Sequence, residues 1–154
     1  MNITTYDIGF VGVQLLLFAS YVFDALPLVF LDTPTFFIVG LGVFLAGMLI
    51  GFVAVLQLNV HLSPFPSPLP GAKLITNGLF KYVRHPIYTG ILLSGVGFAI
   101  ISTSGYRLII TFLLYVLFHF KAKYEEQQLQ QAFDSYSAYK RKTGRFLPKL
   151  FNPN

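Results

Sequence analysis

A short polar stretch, GLFKYVRHPIYTG over residues 78–90, carries the side chains best suited to chemistry. Arg84 and His85 directly precede Pro86, and proline suits the first turn of a helix, where a backbone N–H would lack a partner anyway. Because helix N-termini attract anions, this order predicts an anion-binding site at a helix start. A second interpretation stays open, in which the basic and aromatic residues of the stretch are interfacial anchors and an aromatic belt.

Two adjacent carboxylates, Glu125 and Glu126, follow an apolar segment further along the chain. His119 precedes Glu126 by seven residues, so a helix would place this imidazole and carboxylate on one side. Such groups can hold a cation or act as a general base. The alternative is a surface amphipathic helix whose basic residues 140–142 contact anionic lipid. The paired carboxylates argue against it, because a solvated charge gains little so close to an apolar span.

The composition indicates the solvent in which these residues act. Of 154 residues, 55% are hydrophobic, 17% aromatic and only 11% charged, and the mean hydropathy is +0.65. Soluble domains carry about 25% charged residues, and so apolar a chain cannot stay open and solvated. The absence of cysteine excludes disulfides and cysteine-based zinc sites. The sequence therefore predicts one membrane domain over residues 1–154.

Apolar runs predict an all-α, polytopic membrane protein with about four transmembrane helices and a C-terminal amphipathic cytoplasmic helix. A spanning helix needs roughly 20 mostly apolar residues. Leu129, Ala132, Phe133 and Tyr136 recur at the spacing of one helical face and predict the amphipathic helix. The predicted spans are residues 8–31, 35–58, 87–103 and 106–120, with a tight turn at Ser104-Gly105 between the last two, a loop over 59–86 and a tail over 121–154.

Small residues within these spans follow the spacing that lets helix backbones approach closely in lipid. Gly42 pairs with Ala46 and Gly47 with Gly51 on the second span, and residues 90–99 repeat the pattern on the third. Packing within one bundle is the favoured explanation, and homodimerisation remains open. The oligomeric state is not predicted.

The distribution of lysine and arginine predicts the orientation, because these residues concentrate in cytoplasmic loops. None precedes Lys73, and most lie in the 59–86 loop or in the tail. Both termini and the polar residues described above are therefore expected to face the cytoplasm, in a bacterial inner membrane or an endoplasmic reticulum. The loop also carries prolines at 64, 66, 68 and 70, which predict an extended strap.

Four features follow one another in the chain, namely the stretch GLFKYVRHPIYTG, the hydrophobic hairpin after it, and then EEQQL and RFLP. In these features the chain resembles the isoprenylcysteine carboxyl methyltransferase family and the related phospholipid N-methyltransferases. The resemblance covers roughly Pro64 to Pro148. It implies methyl transfer from S-adenosylmethionine to a lipid-like acceptor that enters from the bilayer. The residues it implies for cofactor binding are Asn77, Tyr82, His85, Pro86, Tyr88, Gly90, His119, Glu125 and Glu126, and those for catalysis are Arg84, Glu126 and Arg145.

Within that resemblance, Glu125 or Glu126 would meet the donor's cationic groups and the Arg84-His85 region its carboxylate. A carboxylate acceptor, the preferred one, needs a cation such as Arg145, and an amine acceptor needs a base such as His119. The alternatives are phospholipid amine N-methylation, an NADPH-dependent membrane reductase, and a non-catalytic adaptor that binds partners through the proline strap. No nucleic acid partner is expected. No metal is expected either, because the three histidines are not grouped with carboxylates at a recognised ligand spacing.

Overall fold

Five α-helices make up the part of the chain that the structure describes. The computed structural model describes residues 4–26, 28–29, 34–58, 65, 71 and 73–149, so most of the predicted proline strap lies outside it. Within these ranges there is no β-strand, only two isolated backbone bridges, and the predicted all-α class is confirmed. A 3₁₀ turn over Gly78–Lys81 precedes the third of the helices, which are α1 (Thr5–Phe23), α2 (Pro34–Leu58), α3 (Pro86–Ile101), α4 (Gly105–Ala132) and α5 (Tyr136–Lys142).

Three of these helices, α1, α2 and α4, are long and apolar enough to cross a membrane. The fourth apolar helix, α3, is shorter at 16 residues. Large apolar side chains point outward from α1 and α2, for example Leu16 at 71% and Leu49 at 64% exposure. An exposed apolar surface of this kind is unfavourable in water but typical of helices that contact lipid tails. The chain is therefore an all-α membrane protein.

The first helix is shorter than the predicted segment 8–31. It begins with a capping box, in which Asp7 N donates to Thr4 Oγ1 at 3.2 Å and Thr4 N donates to Asp7 Oδ2 at 2.8 Å. It ends at Phe23, because Asp24 adopts a left-handed conformation with φ of 47°. Asp24 then accepts a hydrogen bond from Ser104 and forms an ion pair with Arg107 at 3.1 Å. The end of α1 is thereby fixed to the α3–α4 turn.

Helices α2 and α3 pack through glycines. A Cβ on Gly90 would lie 2.6 Å from the backbone nitrogen of Gly51, and one on Gly47 would collide with the backbone of α3. The prediction that these small residues pack within one bundle is confirmed. The choice of Gly42 is wrong, since a Cβ there would meet nothing within 4 Å, and Gly40 makes the contact instead. Gly40, Gly47 and Gly51 share one face, and Gly42 lies about 200° round the helix from Gly40.

The predicted turn between α3 and α4 is present. Ser104 caps α4 by accepting a hydrogen bond from Arg107 N at 3.1 Å. α4 then continues through the predicted boundary at Phe120 as far as Ala132, so the fourth span and the polar segment after it form one helix of 28 residues. Its buried face, with Ile110, Leu114 and Phe118, forms the core of the bundle against α1 and α3.

The predicted amphipathic face from Leu129 to Tyr136 does not lie on one helix. Phe133 is extended, with φ of −136° and ψ of 113°, and ends α4. A turn follows, in which Tyr136 N donates to Phe133 O at 3.0 Å, and α5 begins at Tyr136. The break turns the chain back, so Tyr136 is buried and α5 packs against α4. Tertiary packing here overrides the helical periodicity of the sequence.

Candidate active site

The residues before α3 pair with the residues after α5 through their backbones. Arg84 N donates to Gly144 O at 2.9 Å, His85 N donates to Arg145 O at 3.1 Å, and Gly144 N donates to Tyr82 O at 3.1 Å. Gly144 is required there, because a Cβ on it would collide with the carbonyl oxygen of Leu147. This pairing places the Arg84-His85 pair beside the segment 143–149, called the C-terminal segment below.

Glu126 lies at the centre of this junction, fully buried and surrounded by cations. Arg84 and Lys140 each approach one of its oxygens to 3.0 Å. Arg145 binds both oxygens, from Nε at 3.0 Å and from Nη2 at 3.2 Å. Two guanidinium groups and an ammonium thus neutralise one buried carboxylate, with geometry that repays part of the cost of burying these charges. These residues, with His85, form the Glu126 cluster.

A second nitrogen of Arg84 binds the backbone. Nη1 donates to Lys140 O at 3.2 Å and to the carbonyl oxygen of Thr143. Tyr139 adds another tie between α5 and the 3₁₀ turn, because its hydroxyl donates to Phe80 O at 2.6 Å. Burial raises the pKa of Tyr139 to about 12, so this hydroxyl keeps its proton at neutral pH. The Glu126 cluster therefore fixes α5 and the C-terminal segment onto the start of α3.

Glu125, next to Glu126 in the chain, has a different environment. Its side chain is 27% exposed, and one oxygen, Oε2, accepts a hydrogen bond from Tyr88 at 3.0 Å and lies 3.6 Å from Nδ1 of His85. A carboxylate can accept about four hydrogen bonds, so Glu125 retains capacity for a ligand. Of the two carboxylates, Glu125 is the one able to receive a cationic group from solvent.

Aromatic rings line the junction beside Glu125. Tyr88 stacks parallel to His85, with ring centroids 5.3 Å apart, and parallel to Phe118 at 4.5 Å. Phe146 of the C-terminal segment meets His85, Tyr88 and Tyr115 edge-on at 6.0–6.4 Å. Tyr88 is therefore committed to contacts within the protein, while Tyr115, 44% exposed, offers aromatic surface to a ligand.

Arg145 links the Glu126 cluster to an exposed histidine. Its Nη1, which the bidentate pair with Glu126 does not use, lies 3.5 Å from both ring nitrogens of His119. His119 projects from the outer surface of α4 next to the exposed ring of Phe120. A guanidinium and an imidazole thus meet at the outer surface of the bundle.

The structure brings together the predicted site residues Arg84, His85, Pro86, Tyr88, His119, Glu125, Glu126 and Arg145. Pro86 begins α3, as the sequence predicts. Gly90 packs against α2, and its predicted part in cofactor binding stays a prediction. Within the described ranges, the side chains of two others are exposed and make no hydrogen bond or ion pair with the Glu126 cluster. Tyr82 is 58% exposed beside Lys81, and Asn77 is an exposed residue that precedes the 3₁₀ turn without a side-chain cap.

From the sequence, Lys140 is expected to contact lipid and Lys121 is only one of the cations of the tail, so neither is predicted at the site. Lys140 reaches Glu126 because the chain reverses at Phe133. Lys121 is 1% exposed and contacts α1. A signal for Lys121 was present, since it stands four residues before Glu125 on the same helical face. The pairing of the C-terminal segment had no local signal beyond Gly144.

Comparison with known proteins identifies the family. A family model described as phospholipid methyltransferase matches residues 35–136, from the start of α2 to the start of α5, and so includes the RHPIY stretch and both adjacent carboxylates. A search of curated proteins finds no match. The match confirms the resemblance inferred from the sequence. The chain belongs to the phospholipid methyltransferase family and is a membrane methyltransferase.

Proposed function

We propose that the protein transfers a methyl group from S-adenosylmethionine to a lipid-like acceptor beside Glu125. The observation that carries this proposal is the convergence of three distant segments, because His85, Glu125 and Arg145 all lie around one buried carboxylate, Glu126. Two carboxylates, several cations and exposed aromatic surface meet there at one end of the bundle. S-adenosylmethionine supplies an electrophilic methyl group on a sulfonium, and the C–S electron pair returns to sulfur as the acceptor takes the methyl.

The donor fits the side chains on the solvent side of the Glu126 cluster. Glu125 retains acceptor capacity for an ammonium group. Lys140, whose side chain is 38% exposed, can offer further N–H groups to a carboxylate. Tyr115 precedes Glu125 by ten residues of α4, about 15 Å along the helix axis, so its exposed ring can contact only the end of the donor remote from the amino-acid group. The partners at Glu125 and Lys140 therefore match the ammonium and the carboxylate of the donor's amino-acid group.

Arg84 and Glu126 act on this site by holding its shape. Both oxygens of Glu126 bind arginine or lysine side chains, and Nε and Nη1 of Arg84 bind Glu126, Lys140 and Thr143. A ligand ammonium would have to displace an arginine to reach Glu126. We therefore assign the contact with the donor to Glu125. Holding the donor and the acceptor in line supplies most of the rate acceleration of such a transfer.

The preferred acceptor is a carboxylate on an apolar chain, as in isoprenylcysteine O-methylation. Arg145 Nη1 faces outward toward His119, and a guanidinium there favours an anion over an ammonium. A carboxylate is already nucleophilic and needs no base. The apolar chain would lie along the exposed aromatic rings of α4, which include Phe112 and Phe120.

The second candidate is a phospholipid amine, which the description of the family favours. An ammonium must lose a proton before it can attack, and exposed His119 is the residue best positioned to accept it. The family match argues against the reductase and adaptor alternatives.

The orientation proposed from the positive residues has support from the contacts of α1. At the start of α1, Thr4 Oγ1 lies 3.2 Å from the hydroxyl of Tyr124, which precedes the carboxylate pair in the chain. At the other end of α1, Asp24 pairs with Arg107. The start of α1 and the Glu126 cluster thus lie at the same end of the bundle. We propose that this end faces the cytoplasm.

Transfer of a labelled methyl group tests the function and the acceptor together. Purified protein is incubated with methyl-labelled S-adenosylmethionine and either an S-farnesyl cysteine derivative or phosphatidylethanolamine. A methyl ester releases labelled methanol in alkali, whereas an N-methyl group survives. Alkali-labile product supports the carboxylate, and stable product would move the assignment to the amine. No product from either lipid, at enzyme concentrations that allow a single turnover, would contradict both acceptor assignments.

A further inference from the structure

Lys121 is a buried cation that the proposed transfer leaves without a role. It is 1% exposed, on the face of α4 that packs toward α1, one turn before Glu125. A charged side chain within an apolar bundle is costly and marks a functional position by default. Membrane anchoring does not explain it, since an anchor reaches out to the interface.

The contacts of Lys121 lead from α1 to the proposed donor site. Its ammonium donates to Gln14 Oε1 at 2.7 Å and lies 5.6 Å from the ring centroid of Tyr88. Tyr88 in turn donates its hydroxyl to Glu125 Oε2 at 3.0 Å. The charges of Glu125 and of Asp7, which is also buried on α1, act on Lys121. A continuous path therefore joins Gln14, Lys121, Tyr88 and Glu125.

We propose that Lys121 is a positioning residue that holds Tyr88 against Glu125, and that α1, through Gln14, is part of the donor site. This inference rests on the proposed use of S-adenosylmethionine. α1 lies outside the residues that the family model matches, so its contribution is a property of this chain beyond that match. Without the ammonium, Tyr88 is no longer held in place and its hydrogen bond to Glu125 is lost. Donor binding must then also order the Glu125 carboxylate, and this entropy cost lowers the affinity for the donor.

Lys121→Met removes the charge and keeps an unbranched side chain that packs well in a core. We expect S-adenosylhomocysteine to bind about tenfold more weakly, a change within the usual range for coupled neighbours. The KM for the donor should rise with little change in kcat. Gln14→Leu should weaken binding in the same direction. Lys123→Met, at an exposed lysine two residues further along the same helix, is the matched control and should bind normally.

A double-mutant cycle separates positioning from a general effect on stability. If Lys121 acts through the Tyr88 hydroxyl, Lys121→Met should change donor affinity less than twofold once Tyr88→Phe is present, because the link to Glu125 is already broken. If the two substitutions reduce donor affinity independently, so that the double variant shows the product of their separate effects, the inference is overturned. Normal donor binding by a folded Lys121→Met would also overturn it. Should that variant fail to fold, Gln14→Leu takes its place in the cycle with the same criteria. A wild-type protein that binds no donor would overturn the proposed function itself, and this inference with it.

Discussion

Arg84 and Arg145 donate to the same carboxylate oxygen, Oε1 of Glu126, each from Nε at 3.0 Å. One arginine precedes α3 and the other follows α5, so a single buried oxygen joins two distant parts of the chain. Glu126 is fully buried, whereas Glu125 beside it is partly exposed, accepts a hydrogen bond from Tyr88 and lies close to His85. We infer that one carboxylate holds the site together and the other meets the ligand.

Glu126→Gln should destabilise the protein. Breaking a buried ion pair by removing one partner leaves its cations uncompensated and costs about 3–5 kcal/mol. The thermal unfolding midpoint in detergent should therefore fall well below that of the wild type. Asp134→Asn, at an exposed carboxylate near the end of α4, is the control and should leave the midpoint unchanged. An unaltered midpoint for Glu126→Gln would show that the cluster contributes no stability.

Gly144→Ala should detach the C-terminal segment while the bundle stays folded. The added methyl would collide with Leu147, so the backbone pairing with Arg84 and His85 must open. Overpacking of this kind costs about 1–3 kcal/mol. Limited proteolysis should cut the variant within the C-terminal segment, and donor binding should weaken. Gly12→Ala, where a Cβ meets nothing within 4 Å, should keep the wild-type cleavage pattern.

Gly90→Val tests the packing of α3 on α2. Its side chain would enter the backbone of Gly51, forcing the two helices apart, and we expect a loss of about 1–3 kcal/mol or more. Gly42→Val on α2 faces open space and should unfold at the wild-type temperature. Equal midpoints for the two variants would contradict the helix interface described above.

Arg145→Lys should reduce turnover far more than donor binding. Lysine retains the charge near Glu126 but loses the bidentate geometry and the group that faces His119. We expect a loss of about 100-fold in kcat/KM, the size typical of a lost charge-positioning donor. Titration with S-adenosylhomocysteine provides the comparison. If turnover is normal, Arg145 does not contact the acceptor.

Tyr139→Phe should cost about 1 kcal/mol, the usual value of a single hydrogen bond. Burial raises the pKa of Tyr139 from 10.0 to about 12, so folding favours the protonated form. Its contribution is therefore complete below about pH 10 and is lost as the pH rises through 12. Unfolding midpoints at pH 7 and pH 9 should show the same deficit relative to the wild type. Tyr82→Phe, at an exposed tyrosine, should show none.

The sequence predicted the helical class, the hairpin at Ser104 and the meeting of the RHPIY stretch with the carboxylate pair. These features follow from local signals, namely apolar runs, a cap and a residue pattern typical of one family. Asp24 and Phe133 show the limit of such signals, because a left-handed cap and an extended residue ended helices that the apolar pattern would continue.

The difference in burial between Glu125 and Glu126 could not be predicted from the sequence. Which neighbour is buried depends on how α5 folds back after Phe133 and on where Lys140 and Arg145 then lie. The same holds for Lys121, whose partner Gln14 is distant in the chain. The environments of these side chains depend on contacts between residues that are distant in the sequence, and the helical periodicity of the sequence does not predict such contacts.

Calorimetric titration of S-adenosylhomocysteine into the detergent-purified protein tests the central claim most directly, with Glu125→Gln and Asp134→Asn measured beside the wild type. We predict saturable binding by the wild type and by Asp134→Asn, and binding weakened about tenfold or more in a folded Glu125→Gln, since a hydrogen bond to a charged group contributes about 1.5–3 kcal/mol. Absence of binding by the wild type, or equal affinity in all three proteins, would contradict the assignment of the donor site to Glu125.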